Sequence, residues 1–308
     1  MAESRSYANF VWGILIGVLG AICFSTKAIF VKLAYREAEV EAITLLALRM
    51  MFALPFFLFS ATYSSRKSTN VKFTSKQWGA VAIVGCLGYY VSSLLDFVGL
   101  QYISAGIERL VLFVYPTLVL IISSMVFRSK ISSIQWLAVL VTYGGLLLAF
   151  WGEATFQETD SDFFKGSWFI FACAITYALY IVGSGRLIPS LGAAKFNSYA
   201  MTFAAIAVLI HFTFSAKGSL FGQPQTIYVY SFLMAIVSTV IPSYLVSESI
   251  RRIGSGNTAI VASVGPVSTI LQAYYFLQEP VHGLQIGGTL LIIVGVLMIG
   301  KTKQTDLT

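Results

Sequence analysis

Apolar residues follow one another in long runs along this chain, and short polar or charged clusters separate the runs. Each of the better runs approaches the roughly 20 residues that an α-helix needs to cross a hydrocarbon core. Read as helices, they place ten spans at 9–34, 41–62, 78–100, 104–127, 134–151, 166–185, 194–214, 226–248, 256–277 and 283–300. The weakest division lies near residue 102, where Gln101, Tyr102, Ser104 and Gly106 interrupt an apolar stretch only briefly, so a re-entrant turn fits there as well. Residues 9–24 resemble a leader, yet no small-residue cleavage site follows and nine further spans come after, so the first helix is expected to be retained.

Composition agrees with spans rather than buried core helices. With 57% hydrophobic and 11% charged residues and a mean hydropathy of +0.81, a soluble domain of 308 residues would be badly under-charged on its surface. The net charge of +7 adds orientation, because Lys and Arg near helix ends are kept on the cytoplasmic side. With the N-terminus inside, the inner segments hold Arg5, Arg66, Lys67, Lys72, Lys76, Arg128, Lys130, Arg186, Lys195, Arg251, Arg252, Lys301 and Lys303. The outer segments hold only Arg36, Lys165 and Lys217, with Lys32 snorkelling from the first helix, and collect Glu37, Glu39, Glu41, Glu153, Glu158, Asp160 and Asp162. Both termini are therefore expected in the cytoplasm. Basic residues spread over short loops on one face call for no nucleic-acid partner; the expected surroundings are a lipid bilayer, with a modest attraction to anionic headgroups. Cys23, Cys86 and Cys173 fall inside spans and show neither metal-ligand spacing nor a disulfide framework.

The chain repeats itself at an offset of 150 residues: Ile103, Gly106, Val111, Val114, Pro116, Gln135, Gly145 and Leu147 meet Ile253, Gly256, Val261, Val264, Pro266, Gln285, Gly295 and Leu297 without a gap. A looser match joins Gly13 and Ala21 to Gly166 and Ala174. The halves run from 9 to 151 and from 166 to 300, joined by an acidic segment at 152–165 on the outer face. Five spans per half is an odd number, so the second half enters the membrane in the opposite orientation. The expected architecture is thus an all-α integral membrane protein, two inverted five-helix repeats around a central cavity, in a bacterial inner membrane. Such repeats supply one framework in two mirrored states, which suits alternating access. A duplicated scaffold without a pathway is the alternative.

With these motifs the chain resembles the EamA family of the drug/metabolite transporter superfamily. The resemblance rests on "LQYISAGIERLVLFVYPTLVLIISSMVF", on its counterpart "IRRIGSGNTAIVASVGPVSTILQAYYFLQEP", and on Arg49 in "ALRMMFALP". It implies a ten-helix inverted-repeat bundle with a cavity lined mainly by helices 1, 3, 4, 6, 8 and 9. The family's acidic residue after the fourth helix of each repeat is matched by Glu279, whereas Arg128, Ser129 and Lys130 stand in the first half. Amino acids, nucleotide-related metabolites and drugs are all substrates the resemblance implies.

Ionisable residues within spans cost roughly 2.5–3.5 kcal/mol each at a helix centre on insertion scales and are functional candidates by default. They are Lys27, Arg49, Asp96, Glu108 and Arg109. At 1.5 Å of rise per residue, Arg49 falls near the midplane and the others roughly 9–12 Å toward the outer face. At the 150-residue offset, Asp96 meets Val246, Glu108 meets Thr258 and Arg109 meets Ala259, so the charges are not repeated. Neighbours on a helix point about 100° apart, which disfavours a Glu108–Arg109 pair. The expected pairs are Arg109 with Asp96 and Glu108 with Lys27 or Arg49, leaving one cation for a substrate carboxylate. A self-satisfied clamp or outer gate is the alternative.

Polar and aromatic stripes follow at helical spacing: Tyr89, Ser92 and Asp96; Glu108, Leu112 and Tyr115; Tyr177, Tyr180 and Ser184. As a set they suit a cavity wall, although single tyrosines in membrane helices are commonly packing or interface anchors. Pro116 and Pro266, paired by the repeat, are expected to bend or locally unwind their helices. Gly13 with Gly17 and Gly85 with Gly88 read as close-packing positions, and Glu248 beside Arg251 and Arg252 as helix-end pairing.

An enzyme needs a nucleophile with a base, or a metal with ligands, and the chain offers neither: His211 and His282 stand apart from other ligand types, and no cofactor motif is present. The expected activity is secondary transport, export rather than import, of a small metabolite. An amino-acid-like zwitterion is favoured because the layer carries both signs of charge. A channel or an intramembrane enzyme is the alternative. If transport is proton-driven, Asp96 and Glu108 are the expected carriers.

Overall fold

The computed structural model describes residues 2–66, 72–128, 131–154, 161–216, 218–278 and 283–305. Lys67, Lys130, Glu158, Asp160, Lys217, Glu279 and His282, and residues 155–160 of the joining segment, lie outside the described residues. Within them every regular element is helical. Six helices are long and apolar enough to cross a membrane: α1 (Ala2–Glu37, with Ala8–Glu37 as the apolar stretch), α2 (Ala42–Arg66), α3 (Ser75–Tyr102), α7 (Ser161–Leu191, from Asp162), α8 (Ala193–Ser215) and α9 (Gln225–Val261). The remaining elements are α4 (Ala105–Leu112), α5 (Tyr115–Phe127), α6 (Ser133–Ala154), α10 (Val264–Gln272) and α11 (Gly283–Thr305). A closed hydrogen-bond ladder inside each helix is what a lipid-embedded backbone requires, and large apolar side chains such as Phe59, Met125 and Trp168 face outward.

The break expected near residue 102 is real: α3 ends at Tyr102, and Ile103 is extended (φ −127°, ψ 161°). The segments expected at 104–127 and 256–277 are not uninterrupted helices. A turn at 113–114 separates α4 from α5, and a turn at 262–263 separates α9 from α10, in each case just before the paired prolines Pro116 and Pro266. The break expected between 248 and 256 is narrower than a loop: two helical stretches of α9 meet at one non-helical residue, Gly254 (φ 79°, ψ 166°), 150 residues after Ser104. Lacking a Cβ, glycine adopts this left-handed backbone without strain.

The same irregularities recur 150 residues apart. A π-helical turn at Cys86–Val91 in α3 has a counterpart at Ile236–Val240 in α9, and left-handed Arg128 (φ 52°) has one in Gln278 (φ 57°). Close approaches recur as well. Gly145 of α6 lies against Gly288 of α11, and Gly295 of α11 against Ala138 of α6. Gly13 and Gly17 of α1 meet Ile253 and Ser249 of α9, while Gly166 and Ile170 of α7 meet Ile103 and Gly99 at the end of α3. In each set the contact is repeated with the partners exchanged, as between two surfaces related by a two-fold axis.

Gly85 and Gly88 hold the centre together. A Cβ on Gly85 would overlap the Ala200 backbone of α8, and one on Gly88 would overlap the Tyr180 ring of α7. We expect Gly85→Val to cost about 1–3 kcal/mol, read as a lower thermal midpoint of the detergent-purified protein. Gly79→Ala, whose Cβ would meet nothing within 4 Å, should leave the midpoint unchanged or slightly raised. Equal midpoints for the two variants would show that the α3–α8 approach carries no stability.

Candidate functional site

Helices α1 to α4 bring the five spanning charges into one buried region. Lys27, Arg49, Asp96, Glu108 and Arg109 are all buried, with Asp96 and Glu108 fully so. Lys27 Nζ lies 2.7 Å from Asp96 Oδ2 and 4.0 Å from Glu108 Oε1, so it sits between the two carboxylates. Arg109 Nε lies 3.0 Å from Glu108 Oε2.

This pairing corrects the expected one. Asp96 is taken by Lys27 rather than Arg109, and the sequence neighbours Glu108 and Arg109 do pair. The 100° between neighbours separates their Cβ atoms, but both side chains are long enough to fold toward each other. The third cation, Arg49, is the surplus. Its Nη2 donates to Ser93 Oγ at 3.0 Å and its guanidinium covers the Phe97 ring at 4.9 Å. Among the described residues no carboxylate comes within 4.0 Å of it, and its Nε has no hydrogen-bond partner.

Lys32 does more than expected. Part-buried at an end cleft, its Nζ also donates to the carbonyls of Leu100 (3.2 Å) and Ile103 (3.1 Å), groups left open where α3 ends, a capping contact that was not expected. Glu248 behaves as expected, 2.7 Å from Arg252 Nε and paired with Arg251, while Arg252 also donates to Asn9. His211 packs its ring against Tyr90 at 5.7 Å. Among the described residues, no group of three His, Cys, Asp or Glu side chains is placed to hold a metal ion.

The tyrosines form one continuous ring-to-ring chain. Tyr89 meets Tyr180 edge-on at 5.1 Å, Tyr180 stacks on Tyr177 at 5.7 Å, and Tyr177 meets Tyr115 edge-on at 5.1 Å. Ser92 stands beside this chain, its hydroxyl 3.3 Å from Cys173 Sγ on α7. Phe24, one turn before Lys27, extends the chain to α1 at 5.9 Å from Tyr177. Sequence reasoning missed Phe24, although its spacing from Lys27 was the available signal.

At the end of the aromatic chain lies a small cavity of about 30 Å³, room for one or two water molecules. Phe24, Tyr115, Tyr177, Val246 and Pro266 help to wall it, and among the described residues Arg109 is its one charged lining residue. Its walls include both helix interruptions, through Phe113 on one side and Ala262 and Gly265 on the other.

Two larger clefts flank this centre. One of about 670 Å³ is lined by Lys32, Tyr35, Arg36, Glu39, Glu41 and Gln101 among others. The other, of about 300 Å³, involves Ser123, Phe127, Gln135, Gly185, Ser255 and Asn257. Helix α3 packs antiparallel to α7, with Gly99 near Gly166 and Val84 near Gly183. The clefts therefore lie at opposite ends of the bundle.

A second polar cluster went unnoticed in the sequence. Asn197 Nδ2 donates to Ser243 Oγ at 3.0 Å, and Ser247 Oγ to Asn197 Oδ1 at 3.4 Å, with all three residues fully buried. Ser243 stands 150 residues after Ser93, the partner of Arg49. Thr258, at the position corresponding to Glu108, is satisfied by the Gly254 carbonyl at 2.8 Å and by Ser249 at 3.1 Å. The second half thus answers with neutral groups where the first uses charges.

Comparison with known proteins gives the same reading of the whole chain. A sequence profile of the EamA-like transporter family matches residues 11–151 and 164–301. The uncharacterized transporter YcbK of Bacillus subtilis (strain 168) is 34% identical over 295 residues, covering 92% of each chain. The uncharacterized transporter sll1319 of Synechocystis sp. (strain ATCC 27184 / PCC 6803 / Kazusa) is 24% identical, covering 96% of this chain and 95% of its own. A solved crystal structure superposes with a TM-score of 0.72 at 17% identity, over 93% of this chain and 95% of the other.

Removing one partner of a buried ion pair strands the other and costs about 3–5 kcal/mol, whereas removing both charges together is often close to neutral. We therefore expect Asp96→Asn to lower the thermal midpoint sharply and Lys27→Met with Asp96→Asn to recover most of the loss. A double variant as unstable as the sum of its single changes would show that the pair is not coupled.

Proposed function

The chain belongs to the EamA-like transporter family, a multi-pass membrane protein, and from that premise we propose a secondary transporter that exports a small metabolite by alternating access. The observation that carries this reading is the small cavity at the buried charge cluster, bounded by two interrupted helices and flanked by clefts at opposite ends of the bundle. Interrupted helices at a central site are a recurring device of transporters, because they free backbone groups inside a cavity where water or substrate can answer them.

The exchanged-partner contacts of α6 with α11, and of α1 with α9 against α3 with α7, support two inverted five-span repeats with the halves at 9–151 and 166–300. Rocking one half against the other would open either end cleft toward the centre while closing the opposite one. The mixed signs of the charge cluster favour an amino-acid-like substrate, and the orientation of Lys and Arg favours an inner-membrane location with both termini in the cytoplasm. The family and the transporter names of its relatives favour transport over catalysis.

Untargeted mass spectrometry of spent medium tests this reading. Bacteria expressing the wild type are compared with bacteria expressing an Arg49→Ala and Glu108→Gln double variant at matched membrane levels. At least one metabolite should accumulate several-fold more outside wild-type cells; identical media would sink export through this charge cluster. For topology, a fluorescent protein fused to the C-terminus should glow and a periplasm-dependent phosphatase in the same place should stay inactive. The reverse pattern would overturn the orientation.

A further inference from the structure

We propose that Arg109 is the anion subsite for the transported molecule, a monocarboxylate with a compact apolar or aromatic body, and that its carboxylate displaces Glu108 from Arg109. The inference rests on the transporter reading and revises its substrate class.

Arg109 is the charged residue lining the central cavity, while Phe24, Leu112, Tyr115, Tyr177, Val246 and Pro266 offer apolar and aromatic surface around it. Such a wall fits an organic body with one anionic end, since pockets of this kind orient a ligand through few polar groups. Arg109 also has unspent donors. A guanidinium carries five N–H groups. In this structure its Nη2 makes one long hydrogen bond, 3.4 Å to the Phe24 carbonyl, and its Nε stands 3.0 Å from Glu108 without a well-aligned hydrogen bond. Neither oxygen of Glu108 has an aligned donor among the described residues. A buried ion pair is worth its desolvation only when its geometry is good. This pair is poorly made, so an incoming carboxylate able to meet the guanidinium fork with two parallel bonds is the better partner.

Charge balance points the same way. The cluster holds three cations, Lys27, Arg49 and Arg109, against two carboxylates, Asp96 and Glu108. One further anion completes it. A zwitterion would bring its own ammonium into a surplus of positive charge, and no carboxylate lines the cavity among its described residues to receive it. The recognised group is thus a carboxylate alone, which replaces the amino-acid-like substrate suggested by the mixed signs of the cluster with its counterpart lacking the ammonium. Glu108 is not stranded by the exchange, because Lys27 already lies 4.0 Å from its other oxygen. The cavity holds only water-sized contents, so the body enters as the walls part at Phe113 and at Ala262, where the chain turns between helices.

The test is equilibrium binding to the detergent-purified protein of benzoate, 3-phenylpropionate and 4-methylpentanoate, each beside its amide and the amine of matching shape. At least one acid should bind about tenfold or more tightly than its amide, and the amines should not bind, because a site built for a charged partner rejects the neutral isostere. Glu108→Gln removes the internal competitor and should tighten acid binding about tenfold or more. Arg109→Gln should abolish it. Should that variant misfold, the Glu108→Gln and Arg109→Gln double variant removes one charge of each sign and leaves no buried charge unpaired that the wild type does not already leave, is expected to keep a cooperative thermal transition, and should likewise bind none of the acids.

Amides binding as well as acids, acid binding retained in the double variant, unchanged binding in Glu108→Gln, or no acid bound by the wild type would each overturn the assignment. Acid binding that persists while proteoliposomes show no flux of any of the acids counts for the subsite and against the transporter reading.

Discussion

A charge held away from water must be answered within the protein, and at the centre of this bundle the answer ties four helices together. Lys27 on α1, Asp96 on α3 and Glu108 with Arg109 on α4 make a chain of opposite signs, and Arg49 on α2 joins it through Ser93 and Phe97. None of these side chains is satisfied by its own helix except through the Glu108–Arg109 contact. The helices can therefore separate only if the charges find new partners together. In a medium where apolar packing alone gives helices little reason to associate, that requirement fixes which helices meet and at what height.

The framework around the charges is nearly symmetric and the charges are not. Glycines set the close approaches in both halves: Gly17 at Ser249 mirrors Gly99 at Ile170, and Gly145 at Gly288 mirrors Gly295 at Ala138. Yet Val246, Thr258 and Ala259 stand where Asp96, Glu108 and Arg109 would repeat. Val246 faces the central cavity opposite Arg109, so the symmetric scaffold presents a charged wall from one half and an apolar wall from the other. Two mirrored backbone states with one asymmetric lining would hold the same subsite in both, as a carrier requires.

Much of this was legible in the sequence, because a membrane restricts the options. Helix positions followed from run length, the repeat followed from Gly, Pro and Gln at one offset, and the ionisable residues stood out by their cost. What could not be read was how side chains meet. The Glu108–Arg109 pair was set aside on Cβ direction, but side-chain length decides it. Lys32 was sent to water, but the open carbonyls at the end of α3 that also lie within its reach were not foreseen. Asn197, Ser243 and Ser247 escaped notice because neutral polar residues carry no insertion penalty large enough to mark them, although Ser243 shares the register of Ser93. The interruptions at 113–114 and 262–263 were expected as bends at Pro116 and Pro266; a proline lacks the N–H that would close the preceding turn, so the break falls just before it.

Those interruptions explain how a tightly packed centre can still rearrange. Where a helix breaks, its carbonyls lose their backbone partners and must find others. In the first half Tyr143 supplies one, its hydroxyl 3.3 Å from the Phe113 carbonyl, 3.4 Å from that of Val114 and 2.6 Å from Thr117. Beside the second interruption, Ser25 of α1 donates to the Gly265 carbonyl in the first turn of α10 at 2.9 Å while also bonding the Ala21 carbonyl of its own helix at 2.7 Å. Hydroxyls with a second partner at hand can leave one carbonyl without being stranded, and a carbonyl lining a cavity can be taken over by water when the cavity opens. Side-chain hydrogen bonds with a second partner at hand thus stand at both walls of the Arg109 cavity, whereas the glycine contacts of Gly85, Gly88 and Gly145 that hold the helices in register join the two halves away from it. In the proposed transport cycle, the bonds that would exchange and the contacts that set helix register would therefore be made by different residues.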